Sequence, residues 1–240
     1  MSDQSISENL ASVMAQIHEA EKKSCRAENS VRLCAVSKFH PLESVVQAVN
    51  AGQMLFGENR VQEACEKFSG LNEMLSAEGK RMPELHIIGS LQSNKVRKAL
   101  GYASCIQSVD RESLLIEIES QCAKLGRTVQ VYFELHTGEE SKAGYPCVDE
   151  VLKSAENFSR GAYPHVVPAG LMTMAPFVDD EKTIRKSFES LRMCRERVNS
   201  EFPDLPVKEL SMGMSGDFRM AIEEGSTMVR IGTAIFGHRS

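Results

Sequence analysis

The sequence predicts a single α/β barrel of eight strand–helix units, a (β/α)8 or TIM barrel, over residues 1–240. The chain has 240 residues, close to the roughly 250 that such a barrel typically needs. Hydrophobic residues make up 42% and charged residues 25% of the chain, as in a globular protein with a sizeable core. Strand-like apolar runs alternate with segments of helical periodicity from end to end. Eight such units favour a closed parallel barrel over a doubly wound sheet.

Short apolar runs predict the strands, at residues 31–36, 54–56, 86–89, 105–106, 129–135, 166–174, 207–210 and 228–231. Helical spacing of apolar residues predicts the helices, at residues 6–28, 42–51, 61–75, 94–100, 111–125, 149–158 and 218–224. Gly52 and Gly225 follow two of these helices, and glycine readily ends a helix. After the sixth strand, the spacing of Ile184, Phe188 and Leu191 predicts one more helix with a single core-facing side.

Composition and charge exclude several classes of partner. The net charge of −5 and the isoelectric point near 5.8 argue against nucleic acid, because proteins that bind it usually carry a basic excess. The N-terminus shows no export signal, and no apolar run approaches the ~18 residues of a membrane span. The seven cysteines include no C-x-x-C pair, which fits reduced thiols. A cytoplasmic protein with no membrane partner is expected.

Lys38 ends the first predicted strand. The active site of such a barrel lies at the carboxyl ends of its strands, so a lysine here would hold its amine at the mouth of the barrel. Burial lowers the pKa of a lysine and leaves an amine that can attack a carbonyl. The alternative is a lysine whose ammonium reaches solvent, and position alone does not decide between them.

Two small-residue turns follow the last two strands, at Ser211–Asp217 and Arg230–Ala234. The loops after strands seven and eight are the usual phosphate site of such barrels, because their backbone N–H groups can approach an anion. The glycines could alternatively serve turn geometry alone. Asp217 is expected to point away from a phosphate and to serve the first turn of its own helix.

The segment Phe56–Arg60 ends the second strand, and its polar side chains are expected to face the same mouth. Asn59 has two readings, as a ligand contact or as the N-cap of the helix that begins at Val61.

An amine and a phosphate cradle at one mouth are what pyridoxal 5′-phosphate (PLP) requires. In chain order, the motifs are AVSKFHP, FGENRVQE, HIIGSLQSNKV, GLMTMAP, LSMGMSGDFRMAIEEG and STMVRIGTAIFG. With these motifs the chain resembles the pyridoxal-phosphate homeostasis protein family (YggS/PROSC type) from about Ile6 to Gly237. The resemblance implies an alanine-racemase-like, fold-type III barrel that holds PLP as a Schiff base on Lys38.

The resemblance also implies roles for other residues of this mouth. Arg230 would face the pyridine nitrogen, and Asn59 would lie near the ring. Phosphate oxygens would be held by Ser211, Gly232 and Thr233. A guanidinium keeps its proton, so it donates to the ring nitrogen and leaves PLP a weak electron sink.

Some positions depart from the common pattern of the family, namely Phe39–His40, Ser90 and His136. Residues 139–144 keep the arrangement E-x-S-K-x-G. From it we expect that Lys142 accepts PLP transiently from Lys38, or holds a second molecule, unless this is only a solvated charged loop.

A PLP carrier or regulator that supplies apo-enzymes, as a monomer or weak homodimer, is favoured over an enzyme. Alanine racemases add a β-rich domain whose tyrosine reaches the cofactor, and this chain ends nine residues after Ile231. Two-base racemisation needs an acid and a base on opposite faces of one carbon. The alternatives are a PLP-dependent racemase or decarboxylase, and a scaffold barrel without cofactor.

Overall fold

Eight parallel strands close into a barrel in which each strand pairs with its neighbours in chain order. A computed structural model describes residues 5–138, 143–205 and 207–237 of the chain. The strands are β1 (Arg32–Val36), β2 (Leu55–Glu58), β3 (Glu84–Ile87), β4 (Cys105–Val109), β5 (Val129–Glu134), β6 (Val166–Met172), β7 (Glu209–Ser211) and β8 (Met228–Ile231). The pairing of β1 with β8, from Arg32↔Met228 to Ala35↔Ile231, closes the barrel. The predicted (β/α)8 architecture is confirmed.

Helices connect successive strands, as the periodicity predicts. They are α1 (Ile6–Lys23), α2 (Leu42–Asn50), α3 (Val61–Ala77), α4 (Val96–Ala99), α5 (Glu112–Leu125), α6 (Val148–Ser159), α7 (Glu181–Glu201), α8 (Phe218–Glu223) and α9 (Thr233–Phe236). A 3₁₀ turn at Ser93–Lys95 leads into α4 and shortens the helix predicted there. Among these described helices, none has both the length and the apolar character that crossing a bilayer would take.

Helix α1 ends at Lys23, five residues before the predicted end at Glu28. The buried carboxylate of Glu21 accepts hydrogen bonds from the backbone N–H of Asn29 (3.1 Å) and of Val31 (2.7 Å). These bonds fold the chain back toward β1, and Cys25 takes a left-handed backbone (φ 54°) to make the reversal. A long-range capping acid of this kind leaves no periodic signal in the sequence.

Strand β4 continues to Val109, beyond the predicted end at Ile106. The apolar run stops at Gln107 and Ser108, yet both residues are fully buried. Ser108 Oγ donates to the carbonyl of Gly89 at 2.7 Å. Because these side chains are hydrogen-bonded inside the protein, the strand continues through polar residues that interrupt the hydrophobic pattern.

Two apolar layers form the core. The outer layer packs strands against helices and includes Ala35, Phe56 and Phe188. A smaller cluster fills the inside of the barrel, made of Cys34, Leu55, Cys105, Tyr132, Met172 and Met228. Successive side chains of a strand point to opposite faces, so residues two positions after members of this inner cluster also face inward. This alternation decides which side chains reach the mouth.

Candidate functional site

The carboxyl ends of β8, β1 and β2 bring Lys38, Gly232 and Asn59 together. In the register of the barrel, Val36 is opposite Gly57 of β2, and Ala35 is opposite Ile231 of β8. Lys38 follows β1 and is half-buried. A Cβ atom added to Gly232 would lie 2.9 Å from the carbonyl oxygen of Val36. The turn after β8 therefore lies directly against the backbone that leads to Lys38.

Asn59 is half-buried beside this backbone. The N-cap position of α3 is held by Arg60, whose side chain makes no capping bond. The capping interpretation of Asn59 is therefore wrong. Its backbone is packed against Gly89 after β3, where an added Cβ would lie 2.6 Å from the Asn59 carbonyl oxygen. Asn59 thus has a fixed position at the mouth.

Glu58 does not face the mouth, contrary to the prediction for the segment Phe56–Arg60. Phe56 belongs to the outer apolar layer, so Glu58, two positions later, faces the helices as well. It is fully buried, and its Oε1 accepts from Ser37 Oγ (2.7 Å) and Lys67 Nζ (2.6 Å). Burial raises the pKa of Glu58, and the charge of Lys67 opposes that rise.

Arg230 lies in the barrel interior, two positions after Met228 of the inner cluster, and is only 4% exposed. Its Nη1 donates to the carbonyl (2.7 Å) and Oγ (2.8 Å) of Ser211, and its Nη2 donates to the carbonyl of Thr173 (2.8 Å). Burial lowers the pKa of this guanidinium, and the negative charges of neighbouring groups, Glu134 and Asp217 among them, oppose that effect. These three bonds fix its orientation, and no contact among the described residues uses its Nε–H.

Ser211 is fully buried beneath Arg230. Besides accepting from the guanidinium, its hydroxyl donates to Oε1 of Gln107 at 2.6 Å. The amide nitrogen of Gln107 lies 2.7 Å from Nδ1 of His86. A hydrogen-bonded chain therefore crosses the barrel from β8 through β7 and β4 to β3. Gln107 and His86 were not predicted from the sequence as supports of Arg230, although both are polar residues at inward positions of strands.

Glu134 ends β5 with an inward-facing carboxyl that is 3% exposed. Burial raises its pKa to about 7, although the positive charge of Arg230 lowers it, and Asp110 raises it further. Glu134 was not predicted from the sequence as a site residue, because it lies within the run 129–135 that predicts a strand. A charged residue at an inward position of that run was the available signal.

The two late turns differ in how they are built. In the turn after β7, Gly213 takes a left-handed backbone (φ 98°), which glycine adopts without strain. Asp217 is the N-cap residue of α8, so it lies at the start of its own helix as expected. Its carboxylate accepts from the N–H of Met214 (2.5 Å) and makes no capping bond to α8. Ser215 in the first turn and Thr233 in the second are exposed.

The predicted loop residue Lys142 lies outside the described residues.

Comparison with known proteins places the chain in a family. The family model for alanine racemase, N-terminal domain, matches residues 9–240. The chain is 38% identical to the pyridoxal phosphate homeostasis protein of Vibrio cholerae, over 98% of this chain and 97% of that protein. It is also 38% identical to the protein of that name from Homo sapiens, over 87% of this chain and 76% of that protein. This chain belongs to the pyridoxal phosphate homeostasis protein family.

Solved structures agree with this membership. PipY of Synechococcus elongatus PCC7942, solved with PLP bound, is 34% identical to this chain and covers 97% of it, with a TM-score of 0.84. The alanine racemase of Clostridium difficile 630 is 14% identical over 96% of the chain, with a TM-score of 0.69, and shares the fold alone. In the described part of the chain, no group of three or more His, Cys, Asp or Glu residues is arranged to hold a metal ion.

The contact of Gly232 with β1 predicts a stability difference between two turn glycines. Gly232→Ala is expected to lower the free energy of unfolding by about 1–3 kcal/mol, because its Cβ meets a backbone oxygen that cannot rotate away. Gly216→Ala in the other turn meets nothing within 4 Å and is expected to change it by less than about 0.5 kcal/mol. Urea unfolding measures both, and equal losses would contradict the tight packing of β8 against β1.

The buried carboxyl of Glu134 predicts a pH-dependent stability. Its pKa rises from 4.5 to about 7 on folding, so its protonation favours the folded state, and that contribution is lost as the pH rises through 7. Because one pKa unit corresponds to about 1.4 kcal/mol, the unfolding free energy of wild type should fall relative to Glu134→Gln by about 2–3 kcal/mol between about pH 4.5 and 8.

Exposed Glu43→Gln on α2 serves as the control for Glu134. Denaturant unfolding at several pH values follows all three proteins. A constant difference between wild type and Glu134→Gln across the range would show that Glu134 titrates as an ordinary carboxyl.

Proposed function

We propose that this chain binds PLP through a covalent bond to Lys38 and acts in cellular PLP homeostasis. The observation that carries the proposal is the placement of Lys38, half-buried directly after β1, where the backbone that leads to it at Val36 packs against Gly232 of the turn after β8. An amine and a turn of backbone N–H groups then share one mouth with a fixed guanidinium. The resemblance to PipY, a structure with PLP bound, supports the same proposal.

PLP supplies an aldehyde that condenses with an amine, a phosphate that needs N–H donors, and a pyridine nitrogen. In this proposal Gly232 and Thr233 bind the phosphate, with the exposed Ser215 of the neighbouring turn. Gly232 must lack a side chain there, because its backbone touches Val36. Asn59 borders the ring from β2. The hydroxyl of Ser211 is already bonded to Arg230 and Gln107, so its role is to hold the guanidinium.

Arg230 is proposed to donate its Nε–H to the ring nitrogen. Both terminal nitrogens are fixed by Ser211 and Thr173, so the guanidinium is oriented before a ligand arrives. An arginine keeps its proton and leaves the ring nitrogen neutral. A neutral ring withdraws electrons weakly, which favours attachment and exchange of PLP over chemistry at an amino-acid carbon. A carrier fits this arrangement better than a racemase.

The proposal extends to the setting of the protein. Residues 1–240 are proposed to form one PLP-binding domain that works in the cytoplasm as a monomer or weak homodimer. Its proposed partners are PLP and apo-enzymes that use it.

Borohydride reduction followed by peptide mass mapping tests the covalent bond. We expect the pyridoxyl label on the peptide that contains Lys38, because Lys38 directly follows β1, whose end at Val36 packs against the turn after β8. Lys38→Ala should lose the label and the spectrum of the bound form while unfolding like wild type, since a half-buried amine leaves little cavity. A label found mainly on another lysine of freshly purified protein would overturn the assignment.

Glu134 gives the enzyme alternative its best support. Its pKa of about 7 suits a general acid or base at neutral pH, and it faces the same interior as Arg230. A racemase or decarboxylase would use this group, whereas a carrier would not.

Two assays on one sample decide between carrier and enzyme. PLP-loaded protein is incubated with a panel of amino acids, and separately with an apo PLP-enzyme in the presence of a trap for free PLP. We expect recovery of apo-enzyme activity faster than release to the trap, and no amino-acid turnover. Turnover that disappears in Glu134→Gln would favour the enzyme, and transfer no faster than trapping would reduce the role to storage.

A further inference from the structure

Helix α3 holds the backbone on both sides of Lys38. Lys67 Nζ donates to the carbonyl oxygen of Ser37 at 2.7 Å. One turn earlier on the same helix, Glu63 Oε1 accepts the N–H of Phe39 at 2.5 Å. Lys67 and Glu63 are themselves 3.2 Å apart. The residues before and after Lys38 are thus fixed by one pair of side chains from outside the barrel wall.

The Lys67 side chain is nearly inaccessible, at 5% exposure, and that of its partner Glu58 is fully buried. Removing two charges from water carries a large desolvation cost, and well-packed apolar residues often serve stability as well or better. One oxygen of Glu58, Oε2, is buried without a hydrogen-bond partner among the described residues. Added stability is therefore a poor explanation for this ion pair. Its specific consequence is that Lys67 is held where it fixes the position of the Ser37 carbonyl.

Phe39 has a left-handed backbone with φ 66°. For a residue other than glycine this conformation is sterically unfavourable, and such strain persists only where the surroundings impose it. The bond to Glu63 imposes it from one side, and the guanidinium of Arg60, 5.3 Å from the ring centroid of Phe39, covers the side chain. The chain reversal that follows Lys38 is consequently held in place.

From this arrangement we propose that Lys67 and Glu63 are positioning residues for Lys38. Together with Glu58, which accepts hydrogen bonds from Lys67 and from the Ser37 hydroxyl, they form a clamp of three residues. This clamp holds the peptide units around Lys38 so that its amine meets the aldehyde in the mouth. The inference rests on the proposed function, since it assumes that Lys38 is the residue attached.

The step that depends on the clamp is the condensation. The unprotonated amine of Lys38 adds to the aldehyde carbon, a C=N bond replaces the C=O bond, and the oxygen leaves as one water with the two protons of the amine. Rates of such steps are sensitive to orientation, and a misplacement of about 1 Å can slow them by up to about a hundredfold. Loosening the peptide units of Lys38 should therefore slow attachment more than it weakens binding of the phosphate.

The sharpest test uses Glu63, because it is a quarter exposed and its removal leaves no buried ion alone. Apo-protein is mixed with PLP, and attachment is followed by absorbance, with the labelled peptide identified after reduction. Glu63→Ala should slow attachment to Lys38 by about tenfold and raise the share of label on other lysines. Glu63→Gln, which keeps an acceptor for the Phe39 N–H, should restore the rate to within about twofold of wild type.

Matched variants separate positioning from general damage. Glu66→Ala removes an exposed carboxylate of the same helix and should attach PLP at the wild-type rate. Lys67→Met should attach PLP to Lys38 more slowly than Glu63→Ala does. Lys67→Arg, which keeps a donor for the Ser37 carbonyl, should recover part of the wild-type attachment rate. Should Lys67→Met fail to fold, the contrast between Glu63→Ala and Glu63→Gln decides the matter.

The outcomes distinguish the two proposals. Absence of label on Lys38 in wild type would overturn the proposed function. Labelling of Lys38 in wild type, together with equal attachment rates in wild type, Glu63→Ala and Glu63→Gln, would overturn the clamp alone. Equal slowing by Ala and Gln at position 63 would also overturn it, since both variants would then act through the lost charge.

Discussion

The pairing of the first strand with the last is the constraint on which the site depends. It joins Arg32–Ala35 to Met228–Ile231, segments at opposite ends of the chain, and it leaves no room for a side chain where Gly232 meets Val36. Parallel strands place their carboxyl ends at one edge, so closure brings the two turns that follow β1 and β8 side by side. Neither turn is a site alone.

Buried charge is managed differently on the two sides of the barrel wall. Inside, Arg230 is satisfied by carbonyl and hydroxyl groups at the ends of β6 and β7, and no carboxylate lies within ion-pair distance among the described contacts. Its positive charge is therefore directed to the mouth of a protein whose net charge is −5. Outside, Lys67 is paired directly with Glu58, so its charge is balanced by a neighbouring carboxylate. A hydrogen-bond acceptor on a ligand can use the first charge, whereas the second is already paired with a carboxylate.

The sequence was sufficient for the architecture and for the position of Lys38 directly after the first strand, because both depend on local pattern. Eight apolar runs with helices between them predict the barrel, and a lysine after the first run marks the mouth. The sequence was insufficient where contacts between distant parts of the chain set the end of an element or the direction of a side chain. The end of α1 depends on Glu21, the continuation of β4 depends on partners for Ser108, and the direction of Glu58 depends on the register of β2. Motif resemblance placed Ser211 on a phosphate, whereas only the packed barrel shows its hydroxyl bonded to Arg230 and Gln107.

The clamp bears on the choice between storage and delivery in the proposed carrier role. Positioning the Lys38 amine lowers the barrier of the condensation, and the same barrier is crossed when water reverses it. A site built only to retain PLP gains from tight phosphate contacts and gains nothing from a fast covalent step. Ion pairing that is costly to bury and is placed beside one reactive residue is better explained by a need for rapid attachment and release. Exchange with an acceptor requires both rates to be fast, and the proposed positioning of Lys38 by Lys67 and Glu63 would serve both directions.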